Sequence, residues 1–140
     1  MRKARELASA RDGSSAVEFA IIAPIFILTL MTLIAYGIYL AAAHSIQQLA
    51  ADAARTAVAG VSNAEREKFV KTYIDRSTIG DGFVNRKNLV VAVTQDPANS
   101  NQFTVSLAYD ASNLPIWNLF SYALPDEVIR RFATIRMGGI

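Results

Sequence analysis

The sequence predicts an α+β protein: a long N-terminal helix that crosses a membrane, a short second helix, and a small antiparallel sheet of about three strands. Three observations predict it. Residues 19–43 carry no charged side chain, Ser62-Asn63-Ala64-Glu65 has the spacing of a helix capping box, and runs beginning at Leu89 and Phe103 alternate apolar with other residues at period two. The chain has 140 residues, 52% of them apolar, which suits one small domain with appendages rather than two domains. Its mean hydropathy of +0.25 is high beside a charged content of 19%, so the apolarity is concentrated somewhere.

That place is FAIIAPIFILTLMTLIAYGIYLAAA, residues 19–43. As a helix it is about 37 Å long, more than the roughly 30 Å of a bilayer's hydrocarbon core. Arg2, Lys3, Arg5 and Arg11 precede it, whereas only Arg55 follows before Arg66, so the positive-inside bias puts the N-terminus in the cytoplasm and the remainder across the membrane. A cleaved secretory signal is the competing reading, with Ala41-Ala42-Ala43 as the cleavage site. The run is too long for the apolar region of a signal, and Glu18 abuts it.

The helical pattern continues beyond the apolar run. Ile46, Leu49, Ala50, Ala53 and Ala57 recur at helical spacing with Gln47, Gln48, Asp52, Arg55 and Thr56 on other faces, so one helix runs from near Ser14 to about Val58. The small residues of this stripe suit close approach by a neighbour. They form a candidate face for packing against partner subunits; the chain's own domain is the equal alternative.

Gly60 breaks the chain before the second helix, from Ser62 to about Arg76, whose apolar stripe is Phe69, Val70, Tyr73 and Ile74. A turn at Ile79-Gly80-Asp81-Gly82 leads to the first strand, with Leu89, Val91 and Val93 on one face; Phe103, Val105, Leu107 and Tyr109 mark the second. A loop through Asn99-Ser100-Asn101 joins them as an antiparallel hairpin, and residues 128–137 supply a third strand. Between them, residues 115–125 hold Ile116, Trp117, Leu119, Phe120 and Tyr122, too apolar for an idle loop; they are expected to cover the sheet, with Trp117 in the core. The expected organisation is a basic leader at 1–13, a helix over 14–61 with its membrane span at 19–43, and an exported domain over 62–140.

The most informative residues are Arg11-Asp12-Gly13-Ser14-Ser15-Ala16-Val17-Glu18-Phe19. A basic leader ends in glycine, and a carboxylate follows five positions later against the apolar helix. This resembles a type IV prepilin processing site. The longer string from Gly13 to Pro24, with Tyr36-Gly37 and Ala51-Asp52-Ala53-Ala54-Arg55-Thr56-Ala57, resembles the TadE-like group, pilin-like proteins of tight-adherence (Flp) pilus systems.

The resemblance implies cleavage by a membrane prepilin peptidase between Gly13 and Ser14, and Glu18 and Phe19 as residues of subunit assembly. It implies a minor pilin or pseudopilin of a bacterial cytoplasmic membrane, single-pass, acting in pilus assembly or initiation with other pilins and membrane assembly proteins as partners. Pro24 is expected to kink the helix, because it removes one backbone hydrogen bond. The alternative function is a membrane-anchored module whose exported domain binds a ligand through residues 115–125.

Other chemistry finds little support. Fourteen Lys and Arg face twelve Asp and Glu, but the leader holds four of the former and two of the latter, leaving ten of each from Ser14 onward. The high isoelectric point is then no argument for nucleic acid, and no nucleic-acid partner is expected. No cysteine and one histidine, His44, leave no expected metal site or cofactor, and no nucleophile and base pair supports an enzyme. The stretch Asp75-Arg76-Ser77-Thr78-Ile79-Gly80 is a poor calcium loop, with Ile79 at a ligand position and Arg86 where the closing glutamate belongs. His44 is assigned an interfacial position at the outer membrane boundary.

Overall fold

The computed structural model describes the backbone of residues 2–82, 84–117 and 125–137, and side chains from Ser14 onward. The order is α1 (Arg2–Ala57), α2 (Asn63–Arg76), a single 3-10 turn (Arg86–Asn88), β1 (Leu89–Gln95), β2 (Gln102–Asp110) and β3 (Val128–Arg136). The α+β architecture matches the one read from the sequence. Helix α1 is longer at its start than expected: it begins at Arg2 and runs without a break through Gly13 and Pro24.

Helix α1 has two unlike parts. From Val17 to Ile34 its large apolar side chains point outward on every side, with Phe19 72% and Leu33 65% exposed. From Ala35 onward one face is covered: Ala35, Tyr39, Ala42, Ala43, Ile46, Leu49, Ala50, Ala53, Ala54 and Ala57 are all buried in the hydrophobic core. The stripe Ile46, Leu49, Ala50, Ala53 and Ala57, offered by the sequence as a face for partner subunits, is therefore taken by the chain's own domain. Each of the five is at most 1% exposed. Alanine serves this purpose because a sheet and a second helix approach the α1 backbone closely on that side.

The three strands form one antiparallel sheet in the order β1-β2-β3. Its inner face carries the rows Leu89-Tyr109-Ile129, Val91-Leu107-Arg131, Val93-Val105-Ala133 and Gln95-Phe103-Ile135. Phe103, Val105, Leu107 and Tyr109 are buried, so the period-two pattern of β2 reports its packing directly. The outer face is polar or small, apart from Val90, Val128 and Phe132; Thr104 and Thr134 share a 2.8 Å hydrogen bond across it. Helix α1 lies along β3, and α2 lies along β1. Each helix also sends an amide to the strand beside it: Gln47 Nε2 donates to the Phe132 carbonyl at 3.2 Å, and Asn63 Nδ2 to the Val93 carbonyl at 3.5 Å.

The capping box of α2 is present in both directions. The Glu65 N–H donates to Ser62 Oγ at 3.3 Å, and the Ser62 N–H donates to Glu65 Oε2 at 3.4 Å. Behind it, Arg66 is 5% exposed and, among the described residues, has no carboxylate partner. Its Nε donates to the Gly60 carbonyl at 3.2 Å, Nη2 reaches Met137 Sδ, and the guanidinium lies 5.1 Å from the centre of the Phe103 ring. A carbonyl and an aromatic face take the place of a counter-ion.

The turn before β1 needs glycine at Gly80, where φ is +81° and a Cβ would come within 2.9 Å of Val84 and 3.3 Å of Ser45 on α1. Arg86 closes this turn by donating to the Ser77 carbonyl and, at 2.7 Å, to Asp81 Oδ1. A cation occupies the stretch that the rejected calcium reading would have filled with a metal. Of the apolar segment 115–125, Ile116 is fully buried and Trp117 partly so, with its Nε1 donating to the Ala111 carbonyl at 2.6 Å. The expectation that Leu119, Phe120 and Tyr122 cover the sheet lies outside the described residues.

Candidate assembly segment and membrane edge

Glu18 is the one charged side chain between Ser14 and Ala51. It stands exposed on α1, and among the described residues no cation pairs with it. Ser14 Oγ donates to Glu18 Oε1 at 3.4 Å across one helical turn. Ser14 and Glu18 therefore share a face, as i and i+4 residues do. Phe19 stands beside them, largely exposed. The backbone is helical through both Gly13 and Ser14.

Further along, the two threonine hydroxyls of the apolar run are spent locally. Thr29 Oγ1 donates to the Ile25 carbonyl and Thr32 Oγ1 to the Leu28 carbonyl, each at 2.8 Å. Pro24 leaves the carbonyl of Ala20 without its usual helical donor, yet the helix continues through it. The exposed part of α1 thus presents an apolar surface with Glu18 as its principal polar feature.

Residues 13–55 match the family model of TadE-like proteins. The matched TadE-like segment comprises the Gly13, Glu18 and Pro24 region together with most of the alanine-rich part of α1; α2 and the sheet lie outside it. Neither a curated protein nor a solved structure matches the chain. The same helix is the one long and apolar enough to cross a membrane among the described residues, and its most apolar window is not buried by the rest of the chain.

At the other end of the apolar run the sequence reading missed a residue. Arg131 occupies an inward-facing position of β3, in register with Val91 and Leu107 and between Ile129 and Ala133. It borders a recess of about 540 Å³ with Leu40, Ala41, Ala43, His44 and Gln47 of α1. Its Nη1 donates to the Arg130 carbonyl at 2.7 Å, and among the described residues it makes no ion pair. The signal was legible: a charge interrupts the inward series Ile129, Ala133, Ile135. Strand periodicity alone could not say that α1 would lie under it. Among the described residues, no three His, Asp or Glu are grouped to hold a metal.

Proposed function

We propose that this chain is a minor pilin or pseudopilin of a tight-adherence pilus system, cut by a prepilin peptidase after Gly13 and assembled through the exposed part of α1. The observation that carries the reading is one helix on which Gly13, Ser14 and Glu18 precede an uncovered apolar stretch, within the segment that matches TadE-like proteins. The N-terminus lies in the cytoplasm and the sheet domain on the far side of the membrane.

Cleavage after Gly13 creates an α-amino group on Ser14. Ser14 and Glu18 already share a helix face, so the new cation and the carboxylate neutralise one another within one chain or between neighbours, which lowers the cost of holding either near hydrocarbon. Pairing between neighbours gives each incoming subunit an axial register. The packing surface for sister helices is residues 14–34 rather than the alanine stripe, because the stripe is occupied. Large side chains on all sides favour contact with lipid and with several helices over a single dimer seam.

The test is the N-terminus of the protein extracted from membranes that contain its own peptidase. Mass spectrometry should find Ser14 first; an intact leader removes the proposal. In the same strain, Glu18→Ala should insert and fold normally but fail to enter the assembly, and normal incorporation would take Glu18 out of the mechanism.

A further inference from the structure

We infer that Arg131, His44 and Gln47 form a seat for the phosphate headgroup of an anionic phospholipid, in the leaflet on the side of the sheet domain. The inference rests on the membrane-crossing reading of α1 and goes beyond the assembly role.

With Glu18 at the cytoplasmic edge of the hydrocarbon, 20 helical residues span about 30 Å and end at Ile38. His44 then stands about 9 Å further out, and helix side chains lean toward the helix N-terminus, here toward the membrane. The headgroup layer adds about 5–8 Å on each side, so His44, leaning back, meets its outer edge, while Gln47, about 14 Å out, caps the recess from the aqueous side. The domain's cover of α1 begins at Ala35, below this level, and the Asp126 carbonyl accepts a hydrogen bond from Tyr39. The domain therefore rests on the bilayer surface rather than standing clear of it.

The recess has an apolar wall of Leu40, Ala41 and Ala43, continuous with the exposed apolar surface of α1, and a rim of Arg131, His44 and Gln47. That is the division of a phospholipid into acyl chain and headgroup. Arg131 breaks the inward apolar series of β3 without finding a carboxylate among the described residues; Asp126 and Glu127, the nearest acids in sequence, form no ion pair with it. A guanidinium placed against local pattern, and still holding unused donors, is suited to phosphate oxygens. Gln47 spends one amide hydrogen on the Phe132 carbonyl and keeps its position over the rim.

The experiment uses the full chain in lipid nanodiscs of phosphatidylcholine containing phosphatidylglycerol, with native mass spectrometry of lipids retained after mild delipidation. The wild type should retain phosphatidylglycerol several-fold over its share of the mixture. Arg131→Met, which keeps the stem and removes the charge, should bring retention down to that share; Arg131→Lys should preserve most of it, and Lys68→Gln on α2 should change nothing. Equal retention by wild type and Arg131→Met overturns the seat. Should Arg131→Met misfold, a photoreactive phosphatidylglycerol headgroup on the wild type gives the answer: crosslinks within residues 40–47 and 128–136 support the seat, and crosslinks elsewhere overturn it. Failure of the chain to insert at all, read by alkaline extraction, would instead remove the membrane reading on which the seat rests.

Discussion

The two parts of α1 are one continuous helix with two different environments. Residues 14–34 contain three alanines, and residues 35–57 contain nine, seven of them buried. In the membrane-crossing reading the first part must satisfy only an apolar solvent, which accepts bulky side chains in any arrangement. The second must admit a sheet and a helix close to its backbone, which requires small side chains on one face and fixed shapes opposite. Counted from Glu18, a hydrocarbon core of about 30 Å ends near Ile38, so the cover that begins at Ala35 starts within about one turn of its edge. Composition along a helix thus records what surrounds each turn.

Matched substitutions test that contrast. Ile46→Ala removes a fully buried side chain and should cost about 2–5 kcal/mol. Ile25→Ala, on the exposed part, should leave unfolding of the sheet domain unchanged. Chemical denaturation of the detergent-solubilised full chain, followed by near-ultraviolet circular dichroism, reads both; similar losses would break the comparison. The opposite change in volume gives the next effect. Ala53→Leu should overpack the core and cost about 1–3 kcal/mol, while Ala23→Leu should be close to silent in the same assay.

Smaller effects locate the edges of the covered region. Ser62→Ala removes the acceptor for the Glu65 N–H and should lower stability by about 1 kcal/mol, with the loss confined to α2 in hydrogen exchange. The smallest effect concerns acid. The Ser112 N–H donates to Asp110 Oδ1 at 2.9 Å and holds that carboxyl below its usual range. A depressed folded-state pKa stabilises above the unfolded value and loses that contribution as pH falls through the folded one. Melting temperatures measured downward from about pH 4 should therefore fall slightly less for Asp110→Asn than for the wild type. Asp110 is exposed, so the difference should be small.

Much of this arrangement was legible in the sequence because it depends on local rules. Ser62 and Glu65 announce the start of α2, and the alternation from Phe103 to Tyr109 announces a half-buried strand; both signals are complete within a few residues. The alanine stripe was legible as a buried face, but periodicity does not name the covering partner, and here the partners are the sheet and α2. The extension of α1 to Arg2 was missed because glycine at 13 and the change to a basic leader suggested a boundary, whereas the backbone continues as helix. Of the candidate assembly site, Gly13, Ser14, Glu18 and Phe19 stand out by spacing. The recess at Arg131 does not, since it needs β3 to lie along α1, a contact across more than 80 positions of chain.

The amides of Gln47 and Asn63 have a consequence for crowding. Each border of the three-stranded sheet has one carbonyl taken by an amide from the helix that packs beside it. Strand-to-strand zippering between neighbouring molecules is thereby disfavoured, even where many copies are confined to one plane. In the proposed assembly, polymerisation is left to the rods, and the globular heads are carried side by side without fusing into a common ladder.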